Sequence, residues 1–190
     1  MSKAPSELHL DQRPIALAGF MGVGKTTVGR LLAEALGRPF YDTDGYVEAA
    51  TGRSVEDFFL NDEEPEFRRR EAEAVADLLN KGAVVIALGG GALLDETSRS
   101  ALRRRSILLH LHVPWKELRV YVPGLIATRP LMRGKTMAEI HQLYVRRQTT
   151  YRSAALRITI HRDSPAEAVA DVQRALRGEV APPRHRRAVR

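Results

Sequence analysis

The clearest pattern in the chain is a set of short apolar runs that each stop at glycine, histidine or proline. Three such runs cover residues 14–18, 83–88 and 107–111, and two weaker ones cover 38–41 and 156–160. Short apolar runs that end at turn residues are typical of strands buried on both faces of a parallel sheet. The pattern therefore predicts five buried strands.

Segments of helical period separate these runs. Apolar residues recur at helical spacing over residues 26–36 and again over 66–79, where charges occupy the opposite face. Ser164 followed by Pro165 predicts the start of a last helix, with serine as N-cap and proline at the first helical position. Strands that alternate with helices predict an α/β fold, a doubly wound parallel β-sheet flanked by helices.

Residues 121–136 do not fit this alternation. The segment is basic and is interrupted by four turn residues, Pro123, Gly124, Pro130 and Gly134. A long loop inside a compact domain is usually a functional lid or a disordered segment. We interpret it as a lid.

The length and composition of the chain narrow the possible domain organisation and function. The chain has 190 residues, no cysteine and a net charge of +7, and 6% of its residues are aromatic. This length predicts one domain, residues 14–177, between a flexible extension (1–13) and a disordered basic tail (178–190). The absence of cysteine excludes disulfides and thiolate metal sites, so a cytoplasmic protein without a membrane segment is expected. Few aromatics accompany the basic residues, which argues against nucleic-acid binding.

A phosphate-binding motif follows the first predicted strand. Residues 19–26 read GFMGVGKT, which matches the Walker A pattern and opens a helix. The glycines allow backbone N–H groups to surround phosphate oxygens, Lys25 reaches the β and γ phosphates, and the Thr26 hydroxyl is a ligand for Mg²⁺. The motif predicts ATP or GTP binding. The small size of the chain favours phosphorylation of a small molecule.

Two aspartates end the second predicted strand, where α/β folds bind ligands. Asp42 and Asp44 can hold Mg²⁺ through water, or can accept hydrogen bonds from a diol and orient an attacking hydroxyl. An Asx-turn or an N-cap for the next helix is the alternative for either residue.

Further candidates come from three places along the chain. Arg68 and Glu71, three residues apart on one helix, can form a fixed arginine fork for a carboxylate or an ordinary surface ion pair. Residues 89–91 are three glycines, which either let a ligand approach the backbone or form a flexible turn. Arg129 in the predicted lid and Arg147 four residues before a tyrosine are either ligand contacts or surface charges.

Together these motifs resemble the shikimate kinase family over residues 14 to about 176. The matching motifs are GFMGVGKTT from residue 19, DTD from 42, FRRRE from 67, GGG from 89, RPL from 129 and RQTTY from 147. The resemblance implies a P-loop fold similar to nucleoside monophosphate kinases, with a lid. It also implies transfer of the γ-phosphoryl group of ATP to the 3-hydroxyl of shikimate, which gives 3-phosphoshikimate and ADP for chorismate and aromatic amino acid biosynthesis.

The resemblance also implies roles for individual residues. Lys25, Asp44 and Arg129 are the implied catalytic residues. The implied shikimate-binding residues are Asp44, Phe59, Phe67, Arg68, Gly89, Gly90, Gly91 and Arg147. The implied ATP-binding residues are Gly22, Val23, Gly24, Lys25, Thr26, Thr27 and Arg129, with Thr26 and Asp42 on the Mg²⁺ side. ATP and shikimate are the expected partners, and a monomer is expected.

Two departures from the family pattern are visible. Glu63 stands where the family commonly has glycine, and the segment before RPL lacks the arginines that pack on adenine in the family. The adenine contacts are therefore not assigned. A gluconate-type kinase is one alternative, but it does not require two arginines converging on Asp44. A non-catalytic ligand sensor on the same fold is the other, and the presence of Lys25, Thr26, Asp42, Asp44 and Arg129 argues against it.

Overall fold

The computed structural model describes residues 12–126 and 129–178. Residues 1–11 of the expected extension and 179–190 of the expected tail lie outside the described residues. The elements in chain order are β1 Ile15–Ala18, α1 Lys25–Leu36, β2 Phe40–Asp42, α2 Thr43–Thr51, α3 Val55–Leu60, α4 Glu64–Leu79, β3 Val85–Ala87, α5 Glu96–Arg105, β4 Ile107–His112, α6 Trp115–Leu118, α7 Val122–Ile126, a 3₁₀ helix Pro130–Met132, α8 Met137–Tyr151, β5 Leu156–Thr159 and α9 Pro165–Leu176.

The five strands form one parallel sheet in the order β2-β3-β1-β4-β5. Ile15 of β1 pairs with Val85 of β3 on one side and with Ile107 of β4 on the other. Every residue of β1 and β3 is buried, as the uninterrupted apolar runs require for central strands. The predicted doubly wound parallel sheet is confirmed.

A second, smaller apolar cluster lies beside the main core. It joins α2, α3 and α4 through Val47, Phe58, Phe67 and Ala74, with Tyr46, Val55 and Phe59 packed around them. The Phe58 and Phe67 rings lie 5.9 Å apart. This cluster holds the N-terminal part of α4 over the carboxyl end of β2, which brings a helix-borne arginine to the ligand edge of the sheet.

The predicted lid is more ordered than a plain loop. Its described part contains α7 and the 3₁₀ helix, and Val122 and Met132 are fully buried. These two apolar residues join the main core, so the disordered alternative does not describe this part of the chain, and its role as a lid stays a prediction. The two short helices are hard to see in the sequence, because basic residues surround the single apolar residue that anchors each helical turn.

The helix N-termini differ in whether a side chain caps them. At α8, Thr136 accepts from the Glu139 backbone and Glu139 accepts from the Thr136 backbone, which forms a capping box. Ser164 precedes α9 as predicted, with Pro165 in the first turn, but its side chain makes no capping hydrogen bond. None of the helices in the described part of the chain is both long and apolar enough to cross a membrane.

Candidate active site

A cavity of about 360 Å³ opens at the carboxyl ends of the strands. Its walls come from the P-loop, the start of α2, α3, the first turns of α4, the glycine triplet after β3 and the 3₁₀ helix region. The sequence-predicted residues that line it are Gly22, Lys25, Thr26, Asp42, Asp44, Phe59, Phe67, Arg68, Gly89, Gly90, Gly91 and Arg129. The predicted residues therefore converge from distant parts of the chain.

The P-loop turns tightly between β1 and α1. Gly22 and Gly24 have φ values of 79° and 95°, which place both in the left-handed region that favours glycine. Lys25 folds back so that its Nζ donates to the carbonyl oxygens of Gly19 at 2.9 Å and Phe20 at 3.2 Å. Burial lowers the pKa of Lys25 to about 8, although the carboxylates of Asp44 and Asp42 partly offset this effect.

The other P-loop residues that were predicted to bind ATP differ in how exposed their side chains are. Val23 is buried in the main core, so only its backbone faces the phosphate side, while Thr26 and Thr27 are exposed at the start of α1. The Thr26 hydroxyl donates to Asp42 Oδ2 at 2.7 Å. A hydroxyl and a carboxylate oxygen in contact at the mouth of the P-loop make an oxygen-rich site, which suits Mg²⁺.

Asp42 and Asp44 separate into two roles. Asp42 caps α2, because its Oδ1 accepts from the Asp44 backbone N–H at 3.1 Å, so the N-cap alternative is correct for Asp42. The Asp44 side chain points into the cavity instead. Burial and then the nearby Asp42 charge raise the pKa of Asp44, against the opposing charges of Lys25, Arg129 and Arg68.

Arg68 is held by two carboxylates on its own helix. Its Nη1 donates to Glu71 at 2.8 Å, and its Nη2 and Nε donate to Glu64 at 2.9 and 3.1 Å. Its side chain is 22% exposed and Glu71 only 4%, whereas Arg69 next to it is 51% exposed. The surface ion-pair alternative therefore describes Arg69 and its partners, but Arg68 is fixed at the cavity wall.

The opposite wall has no room for side chains. A Cβ added at Gly89 would overlap Glu71 Oε1 and lie 2.5 Å from Asp44 Oδ1. A Cβ at Gly91 would overlap the Arg68 guanidinium. A side chain at either position would displace one of these charged groups, because they pack directly on the glycine backbone.

The two remaining arginines differ from Arg68. Arg147 is 9% exposed and makes no hydrogen bond to the described residues, and it is not among the cavity-lining residues of the described chain. It lies close enough to Arg68 and Glu71 for both charges to affect it, and burial lowers its pKa. Arg129 lines the cavity and is exposed. Its charge acts on both Lys25 and Asp44.

The lid segment contacts both sides of the cavity. Leu125 occupies the space that a Cβ at Gly22 would need, on the P-loop side. Arg133 forms a 2.6 Å ion pair with Glu56 of α3, on the other side. The segment is thus placed to cover both halves of the site.

Several cavity residues had no motif to reveal them. Glu48, Ser54, Val55, Glu56 and Leu88 also line the cavity, as does Met21 of the P-loop motif. Arg162 was missed as well: its Nε donates to the Gly22 carbonyl at 2.8 Å and its guanidinium lies 3.9 Å from the Tyr121 ring centre. These residues reach the site through the pairing of distant segments, for which a single sequence holds no signal.

Comparison with known proteins identifies the family. The family model described as "Shikimate kinase" matches residues 21–177. The chain belongs to the shikimate kinase family. A shikimate kinase from Symbiobacterium thermophilum is 45% identical over 87% of this chain and 98% of its own length. One from Bacillus subtilis is 35% identical over 88% and 90% of the two chains.

Solved structures agree with this membership. A shikimate kinase from Acinetobacter baumannii in complex with shikimate superposes with a TM-score of 0.84, at 32% identity over 92% of this chain and 98% of that one. The shikimate kinase from Aquifex aeolicus gives 0.73 at 32% identity, over 87% and 97% of the two chains. This chain is accordingly a phosphotransferase that acts on an alcohol group of shikimate, in aromatic amino acid biosynthesis.

Proposed function

We propose that the cavity is the place where this shikimate kinase transfers the γ-phosphoryl group of ATP to the 3-hydroxyl of shikimate. The observation that carries the proposal is the convergence of Lys25, Asp44 and Arg68 on one enclosed space. Asp44 lies between the phosphate-binding loop and the arginine wall. An acceptor held by Arg68 would present a hydroxyl to Asp44 on the side that faces the P-loop.

Asp44 orients the nucleophile and accepts its proton. As the bond from the acceptor oxygen to phosphorus forms and the bond to the ADP oxygen breaks, the hydroxyl proton passes to the Asp44 carboxylate. The raised pKa of Asp44, caused first by burial and then by the charge of Asp42, makes this carboxylate a better base than a solvated aspartate. Positioning and charge stabilisation account for most of the rest of the acceleration.

The carboxylate of shikimate pairs with Arg68. Glu64 and Glu71 fix the guanidinium, so little side-chain entropy is lost when the ligand binds. Arg147 supports the same end of the pocket: it is buried without a hydrogen bond to the described residues, within reach of the charges of Arg68 and Glu71. Phe59 and Phe67 supply the apolar wall, and Gly89 to Gly91 supply backbone contacts.

The P-loop binds ATP through the backbone of residues 22–24 and the side chains of Lys25, Thr26 and Thr27. Thr26 and Asp42 hold Mg²⁺, since their contacting oxygens are the hard ligands that this ion prefers. The ion screens charge on the β and γ phosphates when it is bound. No cluster of three or more His, Cys, Asp or Glu suited to a metal occurs within 12–126 or 129–178, which fits an ion held mainly by phosphates and water.

Arg129 contacts the transferring phosphoryl group when the lid segment covers the site. Its charge already acts on Lys25 and Asp44, the two groups on either side of the reacting atoms. We further propose that the protein acts as a monomer in the cytoplasm, with residues 14–177 as the catalytic domain and 1–13 and 178–190 as accessory segments.

Replacing Asp44 with asparagine tests the proposal directly. Asp44→Asn keeps the shape and removes the base, so kcat with shikimate should fall at least a hundredfold, by about 3 kcal/mol or more of transition-state stabilisation. Because burial raises the pKa of Asp44, the folded state disfavours its charge at neutral pH, so the same variant should unfold at a higher temperature than wild type. ADP release is measured with shikimate and with gluconate.

The control for this test is Asp77→Asn, on the far side of α4, which should change neither quantity. Near-normal kcat in a folded Asp44→Asn variant would remove Asp44 from the chemistry. Equal turnover of gluconate and shikimate by the wild type would contradict the acceptor assignment.

A further inference from the structure

Two buried hydroxyl groups hold the glycine triplet in place. The Tyr151 hydroxyl donates to the carbonyl oxygen of Gly90 at 3.2 Å. The Thr43 hydroxyl oxygen accepts the backbone N–H of Gly89 at 2.7 Å. Tyr151 is 2% exposed and Thr43 is fully buried, while the two glycines are half-buried, so each bond joins a buried hydroxyl to the backbone of the cavity wall.

The triplet is a part of the wall where a small displacement matters. Gly89 packs on Glu71 and Asp44, and Gly91 packs on the Arg68 guanidinium, with no space for even one additional carbon. Glycine backbone has the widest conformational freedom of any residue and no side chain to anchor it. The two hydroxyls therefore restrain the segment that sets the spacing between Asp44 and Arg68.

Tyr151 is itself well anchored. Its ring lies 4.8 Å from the ring of His110 on β4, and Arg147 precedes it by one helical turn on α8. The hydroxyl thus connects the sheet and α8 to the cavity wall. Nothing in the transfer chemistry uses this buried phenol, so its position calls for another role.

We propose that Tyr151 and Thr43 are positioning residues for the shikimate pocket: they clamp Gly89 and Gly90 so that the acceptor hydroxyl and carboxylate reach Asp44 and Arg68 together. This inference rests on the acceptor pocket proposed above. Neither residue touches the acceptor or the nucleotide in this account. Their loss should weaken acceptor use and leave the nucleotide site intact.

Tyr151→Phe is the first test, because it removes only the hydroxyl. The KM for shikimate should rise about fivefold to tenfold, the effect of one buried hydrogen bond, with the KM for ATP unchanged. Tyr144→Phe is the matched control: Tyr144 lies on the same helix, is buried, and donates to the Val113 carbonyl at 3.0 Å, away from the glycines. Both variants should lose similar thermal stability, but only Tyr151→Phe should change the shikimate KM.

Thr43 provides a second, independent variant. Thr43→Val should raise the shikimate KM in the same way, and Thr43→Ser, which keeps the hydroxyl, should restore it. An unchanged shikimate KM in both Tyr151→Phe and Thr43→Val would overturn the inference. Equal increases in the KM values for ATP and shikimate, or an equal effect of Tyr144→Phe, would also overturn it, because they would indicate general loosening.

Arg68→Lys separates this inference from the proposed function. If Arg68→Lys leaves the shikimate KM unchanged, the pocket itself is wrongly assigned. If Arg68→Lys raises it while Tyr151→Phe and Thr43→Val do not, the pocket stands and the clamp is wrong.

Discussion

The acceptor side and the lid side of the cavity each carry an arginine, but the two are held very differently. Arg68 lies on a long helix, is 22% exposed and bonds to Glu64 and Glu71. The Arg129 side chain is exposed and makes no hydrogen bond to the described residues. Arg68 is held by ion pairs to its own helix, whereas Arg129 reaches the cavity as an exposed side chain on the lid segment.

This difference fits the two tasks. A carboxylate that must be bound in one orientation gains from a guanidinium whose rotamer is already fixed. A cation that stabilises the transferring phosphoryl group must also allow nucleotide to enter and leave, so it belongs on a segment that can move. We therefore expect substitutions on the acceptor side to change mainly the KM for shikimate. Substitutions on the phosphate side should change mainly kcat.

Lys25→Met should have the largest effect, because Lys25 lies at the phosphate end of the cavity. Loss of a phosphate clamp costs about 4 kcal/mol of transition-state stabilisation, so kcat should fall roughly a thousandfold. The lysine bonds only to the Gly19 and Phe20 carbonyls in the described structure, and burial disfavours its charge, so the variant should stay folded. Lys116→Met, an exposed site on α6, is the control. Near-normal turnover by a folded Lys25→Met protein would contradict the assignment of Lys25 to the phosphoryl-transfer step.

Gly91→Ala tests the acceptor side without touching a charge. The added methyl group would overlap the Arg68 guanidinium and force it away from its fixed position. The KM for shikimate should rise about tenfold while the KM for ATP stays constant, since one charge-assisted contact is weakened.

The matched control for this substitution is Gly45→Ala. An added carbon at Gly45, inside α2, has no heavy atom within 4 Å, so this variant should keep wild-type kinetics and gain about 0.5–1 kcal/mol of helix stability. An effect of Gly91→Ala on the ATP KM equal to that on shikimate would show that the two sides are not separable.

Acidic pH should have a smaller effect on catalysis than the substitutions above. It should act on the acceptor side by weakening the part of the fold that supports this side. Burial lowers the pKa of His110 to about 3, so the folded protein keeps this histidine neutral while the unfolded chain protonates it below its ordinary pKa near 6.5. Stability should fall as the pH drops below that value, by about 2 kcal/mol at pH 5. His110→Phe should flatten this profile in chemical denaturation, and an unchanged slope would exclude His110 as its cause.

Much of the fold could be predicted from the sequence, because parallel strands buried on both faces leave uninterrupted apolar runs. The P-loop was also predictable, since it depends on residues close in sequence. The spacing of Arg68 and Glu71 predicted their contact, but only their burial separates a fixed pair from a surface ion pair. The alternatives for Asp42 could not be separated in advance. Asp42 both caps α2 and bonds to Thr26, and a capping residue looks the same in sequence whether or not it serves a ligand.

The parts that escaped prediction depend on long-range packing. The cluster around Phe58 and Phe67 builds the acceptor wall from three helices, and no local motif encodes it. Arg147 is buried and is not among the cavity-lining residues of the described chain, so the shikimate contact that its motif implies stays a prediction. The Tyr151–Gly90 bond joins residues 61 positions apart, so the clamp on the triplet had no visible signal.

The most direct test of the account combines a change in Arg68 with a change in the ligand. Arg68→Ala and wild type are each assayed with shikimate and with an analogue that lacks the carboxylate, and Arg69→Ala serves as the exposed neighbour control. Arg68→Ala should raise the KM for shikimate about tenfold to hundredfold and leave the KM for ATP unchanged, because a charge-assisted pair contributes about 1.5–3 kcal/mol. The neutral analogue should be poor with wild type and scarcely poorer with Arg68→Ala. Equal weakening of shikimate and the neutral analogue by Arg68→Ala would contradict the pairing of Arg68 with the acceptor carboxylate.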